Sequence, residues 1–356
     1  MAILIIGLGY AGLRLQRAFE HAASTLGIAL SLAYVDHMRK DASLSYFDRI
    51  EEALRDLQPG IVVVSVNDTN HAAVLAELAG YEGFIVCEKP LATPLDELTD
   101  IRGALASSSG FALNLVERYS DASRALRSWV SRHEWRLARA SFHWGKNRIN
   151  DYRPTCGVTS EAIHALDLIR WICPAAGPLE IAGALGIRSD FSISGDAVLD
   201  SLLLTATIGE ATVGGYSSFV NVVRQRTVDL SFLDQADQLI HARLVFDTPR
   251  WDHDRLRIWM RDIDGRDLVV HERVLSPGQP NLQMLHKLSR FCLDVVQWVA
   301  YRRPPSQPFA DLATAIDLQR LLNGLEACAQ TPPPTRYNTG DARALLVEDG
   351  DVESLG

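Results

Sequence analysis

Residues 2–12, Ala2-Ile3-Leu4-Ile5-Ile6-Gly7-Leu8-Gly9-Tyr10-Ala11-Gly12, decide the fold. A continuous apolar run passes directly into G-x-G-x-x-G, and Leu13 to Ala23 follows at helical spacing, which predicts strand, tight turn and helix. In such a turn Gly7 permits the bend, Gly9 lets the backbone approach a pyrophosphate, and Gly12 lets the helix pack on the strand. The loop Gly7, Leu8, Gly9, Tyr10, Ala11 and Gly12 is therefore a candidate dinucleotide site, with the first N–H groups of the helix as anion donors. The next apolar run, Ala29 to Val35, ends in Asp36, where a carboxylate can accept hydrogen bonds from both hydroxyls of an adenosine ribose. The competing reading is a glycine-rich turn with a solvent-facing aspartate. A carboxylate at Asp36 faces the extra phosphate of NADP and favours NAD. His37, Arg39 and Lys40 follow directly, and one of them turned inward would accommodate that phosphate, so NADP stays open.

Outward from this unit, Ile61–Val66 and Gly83–Cys87 are further apolar runs, with helical segments at Phe47–Leu57 and His71–Leu78 and another after Pro94. Continuous rather than alternating strands predict a parallel sheet covered on both faces. The pattern changes after Tyr119. A helix from Ser120 to Ser131, a strand from Arg136 to Trp144 and a helix from Thr159 to Ile172 precede consecutive strands: Leu199–Ile208, Ala211–Phe219, Thr227–Leu233, Leu239–Phe246, Arg255–Met260 and Asp267–Val270. Strands joined by short turns predict an antiparallel or mixed sheet. Helices at Asn281–Ala300 and Phe309–Ala329 follow. The fold class expected is α/β: a Rossmann dinucleotide-binding domain over 1–119, an α+β domain with a large open, mostly antiparallel sheet over 120–330, and a loosely held acidic tail over 331–356.

Composition agrees with this division. The chain has 356 residues, 47% hydrophobic and 22% charged, enough apolar side chain for two cores. A formal charge of −9 argues against nucleic acid as a partner, although local basic pockets for small anions remain compatible with it. No apolar run reaches the ~18 residues of a membrane span, and the first residues lack a basic n-region, so a cytoplasmic protein without a membrane partner is expected. Cys87, Cys156, Cys173, Cys292 and Cys328 are scattered without a C-x-x-C pair, which suggests reduced thiols and no metal site.

Two further motifs narrow the reading. Cys87-Glu88-Lys89-Pro90-Leu91-Ala92 follows one apolar run, and Val64-Ser65-Val66-Asn67-Asp68-Thr69-Asn70-His71 ends the one before it. With the glycine loop, they resemble the Gfo/Idh/MocA family of NAD(P)-dependent oxidoreductases, over Met1 to about Ala329. The resemblance implies a cis Lys89–Pro90 bond that aims the lysine at the nicotinamide. It also implies Val66, Asn67, His71, Glu88, Lys89 and Asn114 as cofactor-side residues.

Gly157-Val-Thr-Ser160-Glu161-Ala-Ile-His164-Ala-Leu-Asp167-Leu-Ile-Arg-Trp171 resembles the substrate-side helix of that family. Helical spacing puts Ser160, Glu161, His164 and Trp171 on neighbouring turns of one face. Many family members carry aspartate four residues before the histidine, where this chain has Ser160, while some related sequences carry glutamate three before it, as Glu161 is here. Oxidising a carbinol removes a hydroxyl proton while hydride leaves the same carbon, so a base must reach that oxygen. His164 is the candidate acid/base, Lys89 the group that binds the same oxygen and stabilises alkoxide charge, and Glu161 a group that orients the imidazole or binds substrate hydroxyls. Lys89 itself and Tyr152 are the alternative proton carriers. Asp167 is read as capping or pairing locally, or as binding substrate.

The polar stretch His143–Pro154 leads into this segment, and the resemblance places substrate contacts there. Lys146, Arg148, Tyr152 and Arg153 are candidates, with Ser160 and with Arg118 from the segment Asn114–Ser120; a solvated loop, its field partly cancelled by Asp151, is the alternative. Trp251 and Trp259 read as sheet core or an oligomer contact. The resemblance further implies a homodimer or homotetramer built through the open sheet. The expected activity is hydride transfer between a nicotinamide and a CH–OH or C=O carbon of a small polar cyclic metabolite: a sugar, sugar phosphate, nucleotide-linked sugar or cyclitol. A C=N reductase and a dinucleotide-binding sensor without turnover are the alternatives.

Overall fold

The computed structural model describes residues 1–276, 282 and 284–337. The chain begins β1 (Ala2–Ile6), α1 (Tyr10–Leu26), β2 (Ser31–Val35), β3 (Ser45–Phe47), α2 (Ile50–Leu57), β4 (Ile61–Val64), α3 (His71–Glu77), β5 (Phe84–Cys87), α4 (Leu98–Ala104) and β6 (Gly110–Leu113). The six strands form one parallel sheet in the order β3-β2-β1-β4-β5-β6. That order reverses between β1 and β4, and in open α/β sheets a ligand binds beyond the carboxyl ends of the strands at such a switch point. All residues of β4 and β5 are buried, as continuous apolar strands require. Helix α1 ends at Gly27, whose φ of 65° lets its N–H turn back onto the carbonyls of Ala23 and Ser24.

There follow α5 (Asp121–His133), β7 (Arg136–Asn147), α6 (Thr159–Ile172), β8 (Leu179–Arg188), β9 (Leu199–Ile208), β10 (Ala211–Ser218), β11 (Val220–Leu233), β12 (Leu239–Val245), β13 (Asp254–Arg261), β14 (Asp267–Leu275), α7 (His286–Tyr301), α8 (Leu312–Cys328) and β15 (Ala329–Gln330). The second sheet runs β14-β13-β12-β11-β7-β10-β9-β8-β15. It is antiparallel except at β7–β10 and β8–β15, so it is a mixed sheet of the expected kind. Along β11 burial alternates from Arg224 to Leu233, giving a face packed on the interior and a face toward solvent.

Contacts divide the described residues into two compact units: Met1–Val116 with Leu285–Arg320, and Glu117–Met284 with the described residues from Leu321 onward. Sequence order put Leu285–Arg320 with the second domain. In the structure α7 packs on α1, and Phe309 meets Phe84 and Phe291 edge-on at 5.5 and 6.4 Å, so this segment completes the first core.

Local readings shift for physical reasons. Phe47 lies in β3 rather than opening a helix, because three residues are too few to show a period. Strands β6 and β8 escaped the pattern: β6 is four residues long, and Gly183 and Gly186 interrupt the apolar alternation of β8. The start expected for the Asn281 helix, and the tail beyond Tyr337, lie outside the described residues. The first part of that tail is held rather than loose, since Thr335 bridges to Ser189 and the Tyr337 N–H donates to Asp190 at 2.6 Å. Among the described residues no helix is long and apolar enough to cross a membrane.

Candidate active site

In the first unit the site is built by the turn between β1 and α1. Gly7 has φ +92°, and a Cβ on it would lie 2.8 Å from the Val66 nitrogen; a Cβ on Gly12 would lie 2.2 Å from the Gly7 carbonyl oxygen. Both glycines are thus demanded by the protein's own packing. Gly9 is different: a Cβ there would meet nothing within 4 Å. The backbone at Gly9 thus borders open space, which is compatible with a dinucleotide pyrophosphate lying on the turn. Ser65 pins the turn by donating its hydroxyl to the Gly7 carbonyl at 2.8 Å. Leu8 is buried, Ala11 is half-buried and Tyr10 is exposed at the head of α1.

Asp36 ends β2 with its side chain almost wholly covered. One carboxylate oxygen accepts from the Leu8 N–H at 2.9 Å and the Lys40 ammonium at 2.7 Å; the other accepts from the His37 N–H at 2.8 Å. Burial pushes its pKa up, but the Lys40 and Leu8 hydrogen bonds outweigh it and hold the group below the ordinary 3.8. Asp36 is therefore a carboxylate fastened to the glycine turn, and Lys40 folds onto it.

The strand ends β4 and β5 are tied together by His71, whose Nδ1 lies 2.6 Å from the Pro90 carbonyl oxygen and whose Nε2 lies 3.2 Å from that of Val66. This buried ring braces the E-K-P turn. The Lys89–Pro90 peptide is cis, and Glu88 and Lys89 are half-buried. Glu88 Oε1 accepts from Asn114 Nδ2 at 2.6 Å, while Asn114 Oδ1 is buried with no hydrogen-bond partner among the described residues. An orphaned acceptor of this kind asks for a donor from a ligand. Asn67 is exposed beside half-buried Val66.

In the second unit the site is built on α6. Thirteen of its 14 residues are buried, and they include Ser160, Glu161, His164 and Asp167, so the helix hides polar groups that must be satisfied inside the protein. Ser160 donates to the Gly157 carbonyl at 2.7 Å. Asp167 takes a two-pronged contact from Arg118, at 2.8 Å from Nε and 2.5 Å from Nη2. Its partner is thus 49 residues away, not local. Glu161 Oε1 lies 2.8 Å from Lys146 Nζ, and its Oε2 lies 3.9 Å from Arg226 Nη2. Glu161, expected to orient the imidazole or to bind substrate hydroxyls, is thus clamped between two cations. His164 stacks on Trp144, ring centroids 5.5 Å apart and planes 21° apart.

The basic loop is internally matched. Arg148 Nε donates to Asp151 at 2.6 Å, and Arg153 donates to the same carboxylate at 2.6 Å through Nη2. Burial raises the Asp151 pKa, but the hydrogen bonds from Arg153 and the charge of Arg148 more than reverse that, leaving it below its ordinary value. Tyr152 stands out from this knot, 49% exposed. Sequence reasoning missed Arg224, Arg226 and Asp247, and it placed Trp251 elsewhere. Both arginines are buried on the inner face of β11, with the Trp251 ring 4.7 and 4.9 Å from their guanidinium carbons. Two arginines at i and i+2 in a strand whose other inner residues are apolar is the signal that was there to find.

Residues 1–112 match the model of the Gfo/Idh/MocA family, an oxidoreductase family with an NAD-binding Rossmann fold, which bears out the resemblance carried by the glycine turn and the E-K-P segment. No curated protein sequence matches the chain. Among solved structures, the fold is similar to myo-inositol 2-dehydrogenase from Lactobacillus plantarum at 13% identity, covering 92% of this chain and 97% of that one, with a TM-score of 0.67. Levoglucosan dehydrogenase in complex with NADH is similar at 13% identity, covering 92% and 96%, with a TM-score of 0.71. The super-repressor mutant of Gal80p from Saccharomyces cerevisiae is similar at 13% identity, covering 92% and 95%, also at 0.71. At these identities the likeness is one of fold.

Proposed function

We propose that the protein is an NAD-dependent dehydrogenase or reductase acting on the CH–OH or C=O carbon of a polar cyclic metabolite, a sugar or a cyclitol. The observation that carries the cofactor half is the opening at Gly9 beside the Asp36 carboxylate. The turn's backbone N–H groups would hold the pyrophosphate, Asp36 the ribose hydroxyls, and Asn114 Oδ1 an amide donor. When bound, the dinucleotide supplies hydride-transfer chemistry.

The chain's own residues move and stabilise the proton. Lys89 offers an ammonium, a donor-only group suited to stabilising a developing alkoxide. His164 accepts the hydroxyl proton at an imidazole nitrogen during oxidation and returns it during reduction. Glu161, clamped by Lys146 and Arg226, fixes the charge around that helix face. The cations of the loop already face carboxylates of the same unit, which supports a neutral hydroxylated substrate over a phosphate-bearing one. The similarity to inositol and levoglucosan dehydrogenases supports the same class.

A second reading, a dinucleotide-binding regulator without turnover, is supported by the fold likeness to a repressor. NAD reduction, followed by absorbance across a panel of aldoses, anhydrosugars and cyclitols, separates the two. Turnover is expected, and His164→Asn or Lys89→Met should lower the rate by roughly 10²–10⁴ while NADH still binds. Tight NADH binding with no turnover anywhere in the panel would establish the regulator instead.

A further inference from the structure

Strands seldom bury guanidinium groups, yet β11 turns both Arg224 and Arg226 inward, each no more than 7% exposed. Arg226 sits at a junction. Its Nη1 lies 2.5 Å from Asp247 Oδ2, and its Nη2 lies 3.9 Å from Glu161 on α6. Its guanidinium carbon lies 4.9 Å from the Trp251 ring centroid and 5.5 Å from that of Trp144, the same indole that stacks on His164. Asp247 is itself fixed. Its N–H donates to Asp254 at 3.0 Å, its Oδ1 accepts from the Asp252 N–H at 2.9 Å, and both Asp247 and Asp252 adopt positive φ, 54° and 62°. A loop held in that conformation without glycine is over-determined by its surroundings.

We propose that Arg226 is a positioning residue for His164. This rests on the reading of His164 as the acid/base. The loop Asp247–Asp252 holds the guanidinium by charge through Asp247 and by its face through Trp251. Arg226 in turn holds the Trp144 ring against His164 and one oxygen of Glu161 on the same helix. A buried ion pair is a poor source of net stability, because desolvation offsets much of the attraction, but it fixes geometry strongly. A planar cation suits this place and an ammonium does not, since only the former presents a face to the indoles while its edge bonds a carboxylate.

Diethylpyrocarbonate acylation of the full-length protein, read by mass spectrometry at the peptide carrying His164, tests this without any substrate. The exposed His37 and His133 serve as internal references. Losing the stacked cation in Arg226→Met is expected to raise the His164 acylation rate by about fivefold while the references stay unchanged. Arg226→Lys, which restores charge but not the planar face, and Asp247→Asn, which leaves the arginine but removes its carboxylate, should give intermediate rates. If Arg226→Met does not fold, these two milder variants decide. A His164 rate equal to the wild type's in folded Arg226→Lys and Asp247→Asn would overturn the assignment. That result is separate from the substrate panel, whose failure would remove the acid/base role of His164 but leave its acylation rate untouched.

Discussion

The glycine turn of the first unit and helix α6 of the second depart from ordinary packing in opposite ways. At the turn, side chains are absent: at Gly7 and Gly12 the chain leaves no room for one, and at Gly9 the backbone borders open space. On α6, polar side chains are added to a helix buried nearly all round, and contacts reach them from elsewhere in the unit: Lys146 pairs with Glu161, Arg118 pairs with Asp167, and the Trp144 ring stacks on His164. One site is made of backbone and space; the other is made of paired charge.

The largest effect that would break this contrast is at Gly12. Gly12→Val would put branched carbon onto the Gly7 carbonyl, and a loss of stability of about 1–3 kcal/mol or more is expected, read as a lower melting temperature of the first unit. A variant as stable as the wild type would mean the turn is not packed as described.

Next come the two paired aspartates, one in each unit. Asp151 is wholly buried between the buried Arg148 and the half-exposed Arg153, and Asp151→Asn should cost about 1–3 kcal/mol by leaving the Arg148 guanidinium without its carboxylate. Asp36 pairs with Lys40, whose side chain keeps 33% of its exposure, so Asp36→Asn should cost about 1 kcal/mol or less. Both carboxyls titrate below their ordinary value in the folded protein. Their stabilisation is therefore complete above pH 3.8, the unfolded value, and disappears as pH falls through the lower folded one. Denaturant titrations should show a constant gap between wild type and each variant from pH 8 to about pH 5, narrowing only below about pH 4. A gap that closed near neutrality would contradict the pairing.

The same contrast explains how much was legible beforehand. The turn could be read because its information is local: Ala2 to Gly12 specify strand, bend and helix within a dozen residues, and Asp36 closes the unit. Helix α6 was also readable as a helix, with the bounds Thr159–Ile172 expected. Its partners were not. Lys146, Arg118 and Arg226 reach it through sheet register and the tertiary fold, which neither periodicity nor spacing encodes. Glu161 was expected to orient the imidazole or to bind substrate hydroxyls; its contacts with cations from β7 and β11 were not readable from spacing. Trp251 was read as sheet core or an oligomer contact. Only the loop conformation from Asp247 to Asp252 shows that it covers two arginines.

The central claim is that the opening at Gly9 exists for a dinucleotide. NADH fluorescence titration of the wild type and of Gly9→Val tests it most directly, because a Cβ at this position meets nothing within 4 Å and the substitution should leave the fold intact. The account predicts saturable NADH binding to the wild type, and at least a roughly hundredfold weaker affinity in Gly9→Val at an unchanged melting temperature, the equivalent of about 2.8 kcal/mol. Equal NADH affinity in the two folded proteins would contradict it.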